Sequence, residues 1–524
     1  MPLDLVIRNG LVIDGTGAPG RRADVGVNSG RIEAIGELSG ATAGDTIDAS
    51  GHVVSPGFID THTHGDVAMF LPDEHLDVKT AELRQGVTTE VTGNCGFSPF
   101  PADGPHADQV DALMGALIGG GHTWPDLASY RSAVNGIFAN VAPLVGHGSI
   151  RAAVLGFADR APDADELREM VRLAELALAQ GAVGISTGLV YAPGVYSKTE
   201  ELIAVARALR GSGRPYVTHM RGETDMVADS VREAIRIGRE AGVPVHISHH
   251  KASGKDNWGR TVETLALIDQ ARADGIDVTL DAYPYTAGST LLHSILPPWA
   301  QADGIDAMVA RLGDRAVRER VKRDFRDGLP GWQNQQRAAG WDGIVIAGCA
   351  GRPELEGRRA IDLSMDPAEA VFDLIAQQRG RVTMIAHTMR EDDVARVIAH
   401  PASMIGSDAI PLPGKPHPRL AGTFVRILGR YVRERGLLDL PTAVRKMTAL
   451  PAQRFGLRDR GVIAVGKIAD LVVFDPVTVL DRATYEQPLL TPIGVRDVVM
   501  NGQRVIANGA LGAGWAGAVL ASGR

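Results

Sequence analysis

Between about residues 57 and 420, eight short apolar runs alternate with amphipathic helical stretches, and few architectures tolerate that rhythm. The runs are GFIDTHTH, GVTTEVTGNCG, NVAPLVGHGSI, AVGISTGLVYAPG, PYVTHMRGE, PVHISHHKASG, DVTLDAYPYTAG and ASMIGSDAIP. Stretches such as ELREMVRLAELALAQG and ADSVREAIRIGREAG lie between them. Parallel strands need a long crossover, and a helix is the usual one. Eight such units predict an α/β fold, a (β/α)8 TIM-type barrel over 57–420. The stretch 290–350 breaks the rhythm with RAVRERVKRDFRDG and a patch rich in Trp and Gly, and reads as an insertion after strand seven. A helical segment is expected over 421–460. Residues 1–56 and 461–524 share another texture, short alternating runs with Asn-Gly turns, as in LDLVIRNGLVIDG and VRDVVMNGQRVIANG. They predict one small β-sandwich domain built from both termini.

Composition narrows the partners. A formal net charge of −8 argues against nucleic acid, whose phosphates demand a basic surface. No run of 18 apolar residues appears, so no membrane partner is expected. The start, MPLDLVIRNG, lacks the basic, then apolar, pattern of a signal peptide. With only two cysteines, Cys95 and Cys349, a disulfide scaffold is excluded and a reduced, cytoplasmic setting is the default. A small-molecule substrate is what remains; the oligomeric state is not readable.

The strand ends carry the chemistry. In a strand, residues two apart point the same way, so His62 and His64 share a face. At the mouth of a barrel that pair could share a divalent ion. Cys95 follows strand two in VTGNCGF, His219 ends strand five, and Asp408 ends strand eight. Strand six ends in HISHHK, where neighbours point oppositely. His249 shares a face with Lys251, which leaves His250 as a packing residue. Cys, His and carboxylate together suit zinc, and a catalytic zinc keeps an open position for water. The pattern therefore points to hydrolysis, with a carboxylate moving the proton.

These residues resemble the amidohydrolase superfamily, and within it the D-aminoacylases (N-acyl-D-amino-acid deacylases). The likeness rests on His62-x-His64, His219, His249 and Asp408. It also rests on the ordered stretches GVTTEVTGNCGFSPFP, GISTGLVYAPG, THMRGE, ISHHK, DAYPYTAGST, IGSD and HPRLAGTFVRILGRYV. The resemblance implies that Cys95, His219 and His249 hold a tight zinc and that His62 and His64 form a second, weaker site. Two-metal members usually carry a carboxylated lysine after strand four; GISTGLVYAPG has none, and Cys95 takes that place. By the same resemblance, Tyr191 polarises the scissile carbonyl, Asp408 is the general base and acid, and Lys251, Tyr283 and Ser289 hold the α-carboxylate of the substrate. Arg221, His147 and Arg419 lie in matching stretches and receive no role.

The implied reaction is hydrolysis of an N-acyl-D-amino acid to a carboxylate and a free D-amino acid. The run GSTLLHSILPPW is mostly apolar, with no arginine from 289 until Arg311. That favours a hydrophobic side chain on the substrate, although His293 leaves room for a polar one. The alternatives are a dipeptidase for D-terminal dipeptides, a cyclic amidase, and a non-catalytic scaffold on the same barrel.

Overall fold

The computed structural model describes residues 2–118, 121–134 and 136–521. Its centre is a set of parallel strands at the positions of the eight apolar runs: Phe58–Asp60, Val87–Thr92, Asn140–Pro143 with Val145–Gly146, Ile185–Gly188, Tyr216–His219, Val245–Ile247, Val278–Ala282 and Ser403–Ile405. They are called strands one to eight below. Strands one, two and three pair in parallel. The ladder steps at Leu144, and the second half of strand three continues through four, five, six and seven to eight. Most of these residues are buried on both faces, as a sheet jacketed by helices requires; that is why the strands read as near-continuous apolar runs rather than alternating ones.

The helices between strands stop where their sequences say they should. Ala164–Ala179 starts on a capping box, the Asp163 side chain accepting from the Glu166 backbone while Glu166 reaches back. Val227–Ala241 ends on Gly242 in the left-handed region.

Strand eight meets strand one through a narrow seam. Thr63 forms a parallel bridge to Ala409. The His64 N–H donates to the Ala409 carbonyl at 2.8 Å, and the Asp408 N–H to the His62 carbonyl at 2.6 Å. The seam closes the (β/α)8 barrel.

The expected insertion at 290–350 is larger than its sequence texture. It begins with Ala287–Leu291 and ends with Thr383–His387, a strand that lies between Ala287–Leu291 and Ile344–Gly348 in an antiparallel sheet. This central strand has to be present before the sheet exists, so the unit closes near 387 rather than 350. It has its own core, including Leu296, Leu312, Phe325, Ile346, Phe372 and Met384.

Strands from the two ends of the chain join. Val53–Pro56 pairs antiparallel with Leu471–Phe474, and nine strands from both ends of the chain form one mixed sheet. Leu3–Val12 pairs with three neighbours and wraps the sheet around Leu5, Val25, Ile32, Ile47, Val54 and Val473. The helical segment expected over 421–460 runs from Arg419 to Arg454 in four pieces.

Candidate metal centre

The C-terminal ends of strands one, two, five, six and eight converge on one buried cluster. Cys95 Sγ lies 3.4 Å from His62 Nε2, 3.6 Å from His219 Nδ1 and 3.6 Å from His249 Nε2. Asp408 Oδ1 lies 3.4 Å from His62 Nε2 and 3.5 Å from His64 Nε2. His62, Cys95, His249 and Asp408 offer ligand atoms within reach of a single ion.

Three of these residues sit in strained backbone. Cys95, His249 and Asp408 have φ of +55°, +34° and +52°, a region that side chains other than glycine rarely adopt. Each is the point where a strand turns abruptly inward. Local contacts hold the turns: the His249 N–H donates to Asp281 Oδ1 at 2.6 Å, and Asp408 is fixed through the seam. The Cys95 turn is pressed between neighbouring strand ends. A Cβ on Gly188 would fall 2.0 Å from the Cys95 carbonyl oxygen, and one on Gly146 2.4 Å from that of Gly96. Glycine at the ends of strands three and four lets the thiol loop lie beside strand four.

The donor set fits a divalent metal. Burial pushes His62 well below the usual imidazole range and His219 down to about 3, so both rings stay neutral with a lone pair to offer. Burial, then the Asp408 charge, pushes the Cys95 thiol up; a cation among these ligands is what would make the thiolate favourable. Burial alone would raise Asp408, but Arg419, His249 and His62 hold it well below the usual carboxylate range.

The remaining candidates surround this cluster. Tyr191 packs its ring 5.0 Å from His219 and 5.1 Å from Phe97, with its hydroxyl 2.9 Å from Thr290 Oγ1. Burial keeps the phenol protonated. Lys251 Nζ lies 2.6 Å from Glu223 Oε1, 2.7 Å from His249 Nδ1 and 5.7 Å from the Tyr283 ring centre. Ser289 is tied through its carbonyl to Arg419 Nη2 at 3.1 Å. His250 turns away to Thr264 Oγ1 at 2.8 Å. Arg221 also turns away, to Glu233 and the Ser197 carbonyl, and His147 pairs with Glu201 at 3.0 Å. His293 commits Nδ1 to the Gly380 carbonyl at 3.1 Å.

Three buried charged residues received no role from sequence reasoning. Arg419 is fully buried; its Nη1 lies 2.8 Å from Asp408 Oδ2 and its guanidinium 4.7 Å over the Tyr283 ring. Asp281 accepts from His246 Nε2 at 2.7 Å and lies 3.8 Å from His62 Nδ1, beneath the ligands. Glu223 bonds Lys251. Arg419 and Glu223 do occur in the stretches HPRLAG and THMRGE, which carry the resemblance, but no local spacing pairs them with their targets.

A profile of the amidohydrolase family matches residues 45–506. The chain belongs to that family. This amidohydrolase is 42% identical to a D-aminoacylase of Alcaligenes xylosoxydans xylosoxydans over 522 residues, 99% of this chain and 98% of the relative. It is 43% identical over 503 residues to an N-acyl-D-glutamate deacylase of the same organism, covering 95% of this chain and 93% of that one. The crystal structure of N-acyl-D-glutamate deacylase from Bordetella bronchiseptica was solved with zinc and a phosphonate mimic of the tetrahedral intermediate. It superposes with a TM-score of 0.85 at 40% identity, covering all of both chains.

Proposed function

We propose that this chain hydrolyses the amide bond of N-acyl-D-amino acids with the help of zinc, releasing a carboxylate and a free D-amino acid. The observation that carries the reading is the Cys95, His62, His219, His249 and Asp408 cluster, with Asp408 held from behind by Arg419. The relatives supply the substrate class.

Cys95, His219 and His249 would hold the tighter zinc, and His62 and His64, beside Asp408, a second and weaker position. When bound, zinc supplies Lewis acidity at the acyl carbonyl and lowers the pKa of water toward neutrality. Asp408 Oδ1 faces His62 and His64, where it would meet the reacting water, while Oδ2 stays on Arg419. It accepts a proton from the attacking water and hands it to the leaving amine. The Tyr191 hydroxyl, at the rim of the cluster, donates a hydrogen bond to the oxygen on which charge develops. Lys251, Tyr283 and Ser289 lie on one side of the mouth and would hold the α-carboxylate; Arg419, against Tyr283 and the Ser289 carbonyl, orients that group. This clamp favours a linear substrate with a free carboxylate over a cyclic amide.

A pocket beside Tyr191 is lined by Phe97, Leu113, Phe157, Leu291 and Met308. Its walls are apolar and His293 is already bonded to the backbone, which is the feature behind the expected preference for hydrophobic substrates; its free volume here is about 20 Å³, so a side chain would have to open it. A wider cleft of about 680 Å³ opens between the insertion and the barrel loops, past Thr224, Lys255, Trp332 and His387. Both cysteines are free and buried, which fits a reducing, cytoplasmic setting. No helix among the described residues is long and apolar enough to cross a membrane.

The test is amine release from paired N-acetyl-D- and N-acetyl-L-methionine, leucine, phenylalanine and glutamate, using zinc-loaded protein. Release from the D-series, led by the apolar members, is expected. Equal release from both series would sink the stereochemical part. Hydrolysis confined to cyclic amides would sink the substrate class.

A further inference from the structure

A second group of potential ligands lies just outside the first: His219, Glu223 and His249, all buried. Proximity alone would let them hold an ion. Lys251 rules that out, because its ammonium is 2.6 Å from Glu223 Oε1 and 2.7 Å from His249 Nδ1. A divalent ion there would meet a like charge at contact distance, and a lysine ammonium offers only donors. The carboxylate needs another explanation.

Each imidazole in this group has an inner and an outer nitrogen. The inner ones, His249 Nε2 and His219 Nδ1, both lie 3.6 Å from Cys95 Sγ. The outer ones face the same carboxylate: His249 Nδ1 is 3.0 Å from Glu223 Oε1, and His219 Nε2 is 3.9 Å from Glu223 Oε2. A ring that binds a metal through one nitrogen carries its proton on the other, and that N–H needs an acceptor to fix tautomer and orientation. His219 Nε2 is buried and has no hydrogen-bond partner. The Glu223 carboxylate is the group that faces it, 3.9 Å away.

We infer that Glu223 is the common positioning residue of the metal centre, bracing the outer nitrogens of His219 and His249 and tying both to Lys251. The inference rests on the reading that Cys95, His219 and His249 hold the metal. Two consequences follow from the atoms. His219 then carries its proton on Nε2, toward Glu223; a proton on His249 Nδ1 would face the Lys251 ammonium 2.7 Å away, so metal binding would leave Lys251 to Glu223 alone. The substrate anchor Lys251 shares its counter-ion with the metal ligands, so a change at Glu223 reaches metal affinity and substrate binding together. The brace is itself anchored at both ends of its residue: the Glu223 N–H donates to Gln333 Oε1 at 2.5 Å, and its carbonyl accepts from the Ser253 N–H at 2.7 Å. It thus joins strand five, the loop after strand six, and the insertion.

The deciding experiment measures zinc affinity by chelator competition, bound-metal stoichiometry, and the thiolate-to-cobalt absorption of the cobalt-loaded form. It uses the full-length chain, Glu223→Gln and Glu223→Asp. A neutral amide has one acceptor oxygen for what two carboxylate oxygens did. Glu223→Gln should lose about 10–100-fold in zinc affinity, the usual cost of an outer partner. Its cobalt band should shift and its KM rise, and Glu223→Asp should recover part of each. Unchanged affinity and an unchanged cobalt band in Glu223→Gln would overturn the brace. So would loss of one of two bound ions with the other undisturbed, since Glu223 would then be a ligand. An unaltered protein that binds neither zinc nor cobalt would remove the metal reading and the brace with it. If Glu223→Gln does not fold, Glu223→Asp decides by the same readouts: weaker zinc binding and a shifted cobalt band support the brace, and unchanged values overturn it.

Discussion

Asp408 divides its work between two oxygens, one turned to His62 and His64 and the other to Arg419. Asp408→Asn keeps the shape and loses the proton relay. Zinc content should stay near that of the unaltered chain while kcat falls about 10²–10⁴-fold, checked by elemental analysis beside single-substrate kinetics. Near-normal turnover would remove Asp408 from the reaction. Arg419→Met tests the other oxygen. Breaking one half of a buried ion pair typically costs about 3–5 kcal/mol, so the thermal midpoint should drop as well as activity. The candidate ligands are legible in the sequence because their residue types are unusual at strand ends. Arg419 is not, since it lies eleven residues beyond Asp408 and only the helix geometry after strand eight brings it back. Asp281 is hidden for the same reason, and so is half of the role of Glu223: His219 is four residues away, but His249 and Lys251 lie after another strand.

At the scale of elements, the strands were readable and their exits were not. Parallel strands buried on both faces leave long apolar runs, but the left-handed turns at Cys95, His249 and Asp408 leave no mark of their own in composition. The insertion extends beyond 350 because Thr383–His387, by sequence an ordinary apolar strand, pairs with Ala287–Leu291 and Ile344–Gly348. The glycine at the end of strand four gives a direct test. Gly188→Ala puts a methyl group against the Cys95 carbonyl, so the thiol loop has to move. Zinc affinity should fall by at least about tenfold, measured by chelator competition, with little change in helix content. Strand two carries a second test beneath the site. The half-buried Glu90 and the buried Glu82 face each other with no cation beside them among the described residues, and desolvation raises both, Glu90 from 4.5 to about 8. A group whose pKa rises on folding binds its proton more tightly in the folded state. Its contribution is complete below about 4.5 and is lost as pH climbs through about 8. Thermal stability should therefore decline across that window, and Glu90→Gln should flatten the decline. A midpoint that rises with pH in the unaltered chain, or an equal slope in the variant, would show that the pair does not hold a proton.

The whole molecule is held together by long-range closure more than by local units: the terminal sheet needs both ends of the chain, and the barrel needs its first and last strands. Metal should add to that closure. Five candidate ligands from strands one, two, five and six cannot meet in an unfolded chain, so zinc binds the folded form and stabilises it by mass action, about 4 kcal/mol at a thousandfold excess over Kd. Stripping it with a chelator should lower the melting midpoint, and returning zinc should restore it; an unmoved midpoint would mean that the cluster carries no ion. The seam between strands eight and one has a consequence in time. His249, the last of the thiol and imidazole candidates, leaves the ribosome 159 residues ahead of Asp408. At roughly 5–20 residues per second the growing chain spends about 8–32 s with its thiol and imidazoles already made and its carboxylate still unwritten. Through that interval the barrel has no last strand, and the cluster cannot close around an ion. The candidate site is complete only once strand eight is made and the cylinder can shut.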